Sequence, residues 1–176
     1  LEKFYTPLRT LYRKIYRRFI YKKDHVFNPK ELQSNSEFFE GHWVNERYFK
    51  KYADVIREDI QPKEISPASS NILSEMEADK SKGIIPISVH VRRGDCVTNL
   101  HAANYQGTTD TSFYENAYNH LSLSENKDVF LFYVFSDDIE WAKENILKDK
   151  QRVMVSSPLV SDYEELFIMS KCTHHI

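Results

Sequence analysis

The sequence predicts an α/β fold with a parallel, doubly wound sheet, preceded by a smaller and mostly helical part. Apolar, β-branched runs alternate with stretches of helical periodicity in the second half of the chain, and each run ends at polar residues. Such alternation is typical of βα units whose strands lie parallel in one sheet. With 176 residues, 41% of them hydrophobic, the chain is long enough for a substantial core.

The first predicted element is an amphipathic helix over residues 4–20, with apolar and aromatic side chains on one face. Basic residues, concentrated in 1–23, occupy the opposite face. Two interpretations stay open. Either the aromatic stripe packs on the body of the protein, or the helix lies on an anionic membrane surface.

A domain boundary is predicted within residues 61–83, where prolines and serines precede a short helical stretch at 72–80. We therefore assign residues 1–82 to the remnant of a first domain and its linker. Residues 83–176 form the second, ligand-binding domain.

Three strand–helix pairs follow this boundary. The predicted strands and helices are, in order, 84–91 and 111–123, 129–136 and 139–148, and 152–156 and 162–171. Ser161 and Glu164 match a capping box at the start of the last helix. Thr173 begins a fourth strand.

A charged segment, His90-Val91-Arg92-Arg93-Gly94-Asp95, directly follows the first strand. Ligands of open α/β sheets gather outside the carboxyl ends of the strands. Two adjacent arginines at that position indicate an anionic ligand, because a guanidinium can hold phosphate oxygens with two parallel hydrogen bonds. On spacing alone, a turn with solvated arginines is an equal alternative.

Three acidic residues lie near the starts of later helices. Asp137 and Asp138 follow the second strand, and two interpretations are open: a pair of metal ligands, or a cap for the helix that begins near Ile139. Glu165 lies in the first turn of the last helix, where the helix dipole favours a carboxylate even without a ligand.

Composition excludes several classes of function. The formal net charge of −2 provides no global field that would attract nucleic acid, and no apolar run reaches the length of a membrane span. Cys96 and Cys172 lack the spacing of a metal or redox site, which indicates a reducing compartment. With only four glycines, no glycine-rich phosphate loop is present, so arginine must bind any phosphate.

The pattern His-x-Arg-Arg-x-Asp at 90–95, with the apolar strand before it, resembles the motif of GDP-fucose-dependent fucosyltransferases. Three further segments agree in the same order along the chain: 41–49, 135–141 and 162–176. Together they resemble the α-1,2-fucosyltransferases of glycosyltransferase family 11, from about residue 38 to the last residue.

This resemblance implies a GT-B-like fold, in which 1–82 is the acceptor-side remnant and 83–176 the Rossmann-type domain for GDP-fucose. It implies inverting transfer of L-fucose from GDP-fucose to the 2-hydroxyl of a galactose-terminated glycan, in glycan or lipopolysaccharide synthesis. It also implies that no cofactor or metal is required, and the net charge of −2 indicates no nucleic-acid partner. Alternatives are a non-catalytic module that binds nucleotide sugars, and a related α-1,6- or protein O-fucosyltransferase.

The resemblance also implies roles for individual residues. Arg92 is the closer partner of the pyrophosphate and is catalytic, and Arg93 supports it. Glu165 binds the guanine base. The remaining implied residues of the donor site are His90, Asp137 and Asp138. The base near the acceptor hydroxyl is not identified by the sequence; separately from the resemblance, Asp95 is our candidate for it.

Departures from the family pattern include Cys96 in place of an aromatic residue and His175 in place of an asparagine. The family's glycine-containing first loop and its later tryptophan pair are also missing, so we interpret the chain as a fragment. The expected location is the cytoplasm, peripheral to the inner membrane, in a bacterium. In a eukaryote it would be the Golgi membrane, and the basic segment 1–23 is the candidate membrane contact.

Overall fold

The computed structural model describes residues 27–29, 45–94, 97, 109–124 and 129–176. Contacts divide the chain into two compact units, Leu1–Gln61 and Pro62–Ile176. The predicted helix over 4–20 lies outside the described residues.

The described part of the first unit is helical. Two short 3₁₀ helices, Glu46–Tyr48 and Lys50–Tyr52, lead into helix α1 (Ala53–Asp59). Asn45 begins the first of them, because its side-chain oxygen accepts a hydrogen bond from the Arg47 N–H at 3.1 Å. The Phe27 ring lies 4.9 Å from that of Tyr48, between centroids. None of residues 45–61 is buried.

A four-stranded parallel sheet forms the centre of the second unit. Its strands are β1 (Ile85–Val91), β2 (Phe130–Ser136), β3 (Arg152–Met154) and β4 (His174–His175). They lie in the order β3-β2-β1-β4, and each neighbouring pair is parallel. The predicted parallel sheet is therefore confirmed. The GT-B arrangement stays a prediction.

Helices cover both faces of the sheet, as a doubly wound fold requires. They are α2 (Pro67–Ser81), α3 (Thr111–Ser124), α4 (Ile139–Asn145) and α5 (Asp162–Ser170). On one face, Val89 and Phe132 pack with Tyr114 of α3 and Ala142 of α4. On the other face, Tyr133 and Phe135 pack with residues of α2 and α5, namely Met76 and Ile168. Residues that alternate along β2 supply both cores.

Two helix bounds differ from the sequence prediction for local reasons. Helix α2 begins at Pro67 and not near residue 72, because the Ser66 hydroxyl accepts from the Ser69 N–H and proline is favourable in the first turn. Helix α4 ends at Asn145 and not near 148, since Ile146 is extended and Leu147 has a φ of 45°.

Helix α2 lies against the sheet, with Met76 fully buried, and the break in contacts falls between Gln61 and Pro62. The assignment of residues 1–82 and 83–176 to acceptor and donor sides stays a prediction.

The predicted capping box at the start of α5 forms. Glu164 Oε2 accepts hydrogen bonds from the Ser161 N–H at 2.9 Å and the Ser161 hydroxyl at 2.7 Å. Its other oxygen accepts from the N–H of Ser66, which precedes α2. One buried carboxylate therefore joins the first turns of two helices on the same face of the sheet.

Candidate functional site

The site residues lie where the strand order reverses. From β1 the chain moves outward to β2 and β3, and then returns to place β4 on the opposite side of β1. In open α/β sheets, ligands bind outside the carboxyl ends of the strands at such a reversal. Strands β1 and β2 are in register up to Val91 and Ser136, so the segments that follow these two residues emerge side by side.

Asp137 binds the turn after β1. Its Oδ1 accepts a hydrogen bond from the Arg93 N–H at 2.8 Å, and its Oδ2 accepts from the Gly94 N–H at 3.0 Å. Arg92 Nη1 lies 2.9 Å from the same Oδ2. Partial burial opposes ionisation of Asp137, but the two N–H groups and the Arg92 charge outweigh it and lower the pKa of this carboxyl.

Gly94 is required by this close approach. A Cβ at this position would lie 2.8 Å from Asp137 Oδ2, a distance that real Cβ atoms essentially never show. Any other residue would displace the carboxylate or the turn.

The two arginines have different surroundings. The Arg93 guanidinium carbon lies 3.5 Å from the centroid of the Trp141 ring, and its Nε lies 3.4 Å from Asp138 Oδ2. The Arg93 side chain is 18% exposed, whereas that of Arg92 is 56% exposed. Arg92 is therefore the arginine that a ligand in solvent can reach.

Asp138 caps helix α4, since its Oδ1 accepts from the Trp141 N–H at 3.4 Å. Its own N–H donates to the Ser136 hydroxyl at 3.0 Å, and that hydroxyl donates to the Val91 carbonyl at 2.8 Å. Ser136 thus links the ends of β1 and β2. We did not single it out from the sequence, although it directly precedes the two aspartates.

Of the two interpretations of the aspartate pair, the helix cap is observed for Asp138. Asp137 instead binds the N–H groups of the turn after β1. Among the described residues, no group of three or more His, Cys, Asp or Glu side chains is arranged to hold a metal ion.

Glu165 lies in the first turn of α5 and is partly buried. Its pKa is raised, chiefly because burial disfavours the charged form. A hydrogen bond from the Ser156 hydroxyl and the nearby His90 act in the opposite direction. Glu165 therefore interacts with Ser156, which lies just beyond β3, and with His90 near the end of β1.

The backbone of His90 is held on both sides. Its N–H donates to the Ile176 carbonyl at 2.9 Å, and its carbonyl accepts from the Tyr114 hydroxyl at 3.4 Å. The imidazole itself is exposed. Asp95 lies outside the described residues.

Comparison with known proteins gives a family match over most of the chain. Residues 8–176 match the model described as glycosyl transferase family 11. An alpha-1,2-colitosyltransferase of Escherichia coli is 32% identical over 151 residues, which are 82% of this chain and 48% of that protein. The O-antigen biosynthesis glycosyltransferase WbnK, also of Escherichia coli, is 35% identical over 91 residues, 51% of this chain and 29% of that protein.

The chain thus spans about half the length of the first of these relatives, and less of the second. No solved structure matches. In the part of the chain that the structure describes, no helix is long and apolar enough to cross a membrane.

Proposed function

The chain belongs to glycosyl transferase family 11, and from this membership we propose that it transfers L-fucose, or a closely related deoxysugar, from a GDP-sugar to the 2-hydroxyl of a galactose-terminated glycan. The observation that carries this proposal is Arg92. It is an exposed guanidinium that Asp137 holds at the carboxyl end of β1, beside the reversal of strand order.

Arg92 stabilises the negative charge that develops during this transfer. When the sugar leaves a nucleotide diphosphate, negative charge grows on the leaving group, and fixed cations lower the barrier if they already point at it. Arg92 is exposed and permanently charged, so it binds the diphosphate. Arg93 supports it, and Asp137 and Asp138 complete the donor site through the two arginines rather than through a metal.

Glu165 and His90 form the proposed base-recognition end of the site. A guanine edge presents two neighbouring N–H donors, which one carboxylate can accept together. Glu165 is partly buried beside Ser156 and His90, which supports a role beyond a solvated helix residue.

The proposed reaction is one direct displacement with inversion. The acceptor 2-hydroxyl oxygen forms a bond to C1 of the sugar as the bond from C1 to the diphosphate oxygen breaks, and GDP leaves. The hydroxyl proton passes to a base. Asp95 is our candidate for that base, because it follows directly after the arginine turn.

Two donor sugars fit the proposed site. The resemblance to fucosyltransferases points to fucose, whereas the relative that covers most of the chain is named for colitose. Colitose is the 3-deoxy form of L-fucose, so the two donors place the same charges on the arginine turn.

The names of both relatives support a role in bacterial glycan synthesis. In this scheme residues 83–176 bind the donor, and residues 1–82 contribute to the acceptor side. The basic segment 1–23 brings the enzyme to the cytoplasmic membrane surface, where it meets a lipid-linked acceptor.

The test is transfer by the purified chain from GDP-fucose, and in parallel from the GDP derivative of colitose, to a β-galactoside. We expect an α-1,2-linked product, identified by NMR, and no transfer by Arg92→Ala. GDP binding without transfer from either donor would instead support the nucleotide-sugar-binding module. Absence of GDP binding would refute the proposal.

A further inference from the structure

The Arg93 guanidinium is held between an aromatic ring and a carboxylate. Its carbon lies 3.5 Å from the Trp141 ring centroid, and its Nε lies 3.4 Å from Asp138 Oδ2. The backbone N–H of the same residue donates to Asp137 Oδ1 at 2.8 Å. Arg93 therefore connects the start of helix α4 to the turn that carries Arg92.

Trp141 is itself fixed in place. Its backbone N–H donates to Asp138 Oδ1 at 3.4 Å, and its backbone carbonyl accepts from Asn145 Nδ2 at 2.8 Å. The indole packs against the core cluster shared by α3, α4 and the sheet. The ring thus offers Arg93 a rigid face, and a planar cation over an indole is the strongest geometry of its kind.

We infer that Trp141 is a positioning residue for the donor site and that it acts through Arg93. Its indole face immobilises the Arg93 side chain, which keeps the N–H groups of the turn on Asp137. The direction in which Arg92 leaves the backbone is then set before a ligand arrives. This inference rests on the proposed function, in which Arg92 binds the diphosphate.

The surroundings of Arg93 argue against a direct contact with the diphosphate. Its charge is already offset by Asp138, and one face of its guanidinium is covered by the indole. To bind phosphate, Arg93 would have to leave both partners. Arg92 also pairs with a carboxylate, that of Asp137, but its side chain is three times as exposed, at 56% against 18%, so more of it is open to a ligand in solvent.

The experiment compares GDP affinities of the full chain by calorimetry. Trp141→Leu removes the π face and should weaken GDP binding roughly fivefold, the factor expected from loss of a partly desolvated cation–π contact. Trp141→Phe retains a π face and should remain within about twofold of the parent. Should Trp141→Leu fail to fold, Trp141→Met carries the same test with an unbranched side chain that adapts more easily to the space left by the indole.

A double-mutant cycle separates positioning from general packing. In an Arg93→Met background, Trp141→Leu should have no further effect on GDP affinity, because the residue through which it acts is already gone. Tyr118→Leu is the matched control. The Tyr118 ring packs on the same core cluster, and its centroid lies 4.5 Å from Lys150 Nζ, so this substitution also removes a cation–π contact. It should leave GDP affinity unchanged.

Additive effects of Trp141→Leu and Arg93→Met would overturn the inference, as would an equal loss in Trp141→Phe or in Tyr118→Leu. A parent that binds no GDP at all would refute the proposed function, and this inference with it. Additivity in a parent that binds GDP would refute the inference alone.

Discussion

Arg92 and Arg93 are neighbours in the chain, but their side chains differ in their contacts and in their exposure to solvent. Trp141 and Asp138 contact the side chain of Arg93, which is 18% exposed, whereas the side chain of Arg92 contacts Asp137 and is 56% exposed. A ligand anion competes for the more accessible cation. The exposed arginine is therefore the one whose loss should affect binding most.

We expect Arg92→Ala to weaken GDP binding by about one to two orders of magnitude, because a hydrogen bond to a charged group contributes about 1.5–3 kcal/mol. Arg92→Lys should also bind poorly, since a point charge cannot form two parallel bonds to a phosphate. Calorimetric titration with GDP measures both. An Arg92→Ala variant as tight as the parent would show that the diphosphate binds elsewhere.

Glu165 should determine the choice of nucleotide. The parent is expected to bind GDP better than ADP or UDP, because adenine presents an acceptor where guanine presents a donor and would leave the carboxylate unpaired. Glu165→Ala should narrow that preference more than it weakens phosphate binding. Competition among the three nucleotides measures it, and an unchanged preference for GDP would exclude Glu165 from this role.

At the scale of elements, Glu164 joins the first turns of α2 and α5. N–H groups of Ser66 and Ser161 lower the pKa of Glu164 from its ordinary value of 4.5 to about 2. A group whose pKa is lower in the folded state adds stability above its unfolded pKa and loses that contribution as the pH falls. The contribution is therefore complete above 4.5 and disappears as the pH falls through about 2.

Glu164→Gln should lower the Tm at neutral pH by a few degrees and flatten its decline in acid. Glutamine has one carbonyl oxygen where glutamate has two carboxylate oxygens. The N–H groups at one of the two helix starts therefore lose their acceptor, and those at the other lose its charge. Thermal unfolding followed by circular dichroism from pH 7 to pH 3 measures this. Glu144→Gln, at an exposed position on α4, is the control and should behave like the parent.

The helix starts also show how far local sequence predicts structure. Ser161 and Glu164 are three residues apart, and their capping box was predictable because both partners lie in one turn. Ser66 lies 98 residues from Glu164, so nothing in the sequence near either residue reveals their hydrogen bond. The start of α2 at Pro67 does have a local signal, a serine before a proline, but serines and prolines are equally typical of a linker.

For the whole molecule, the carboxylates at the carboxyl edge of the sheet already have partners. Asp137 accepts from two N–H groups and meets Arg92, and Asp138 caps α4 and meets Arg93. A divalent cation would have to displace these donors, whereas in the proposed donor site the arginines supply the positive charge for the leaving diphosphate.

Transfer should therefore persist after chelation with EDTA, with a rate within about twofold of the untreated protein, since the fixed charge is supplied by arginine. The measurement is the initial rate before and after chelation and after addition of Mn²⁺ or Mg²⁺. Loss of turnover on chelation, restored by manganese, would assign Asp137 and Asp138 to a metal.

The order of strands and helices, the parallel sheet and the position of the arginine pair at the end of β1 were all predictable from the sequence. These features depend on hydrophobic periodicity and turn residues, which act over a few neighbouring positions. Which arginine is exposed, and which side chains hold the other, became visible in the folded chain. Asp137 lies 44 residues from Arg93, and they meet because β1 and β2 pair in register. The sequence shows which side chains are charged, but their burial and their partners depend on segments that are distant along the chain.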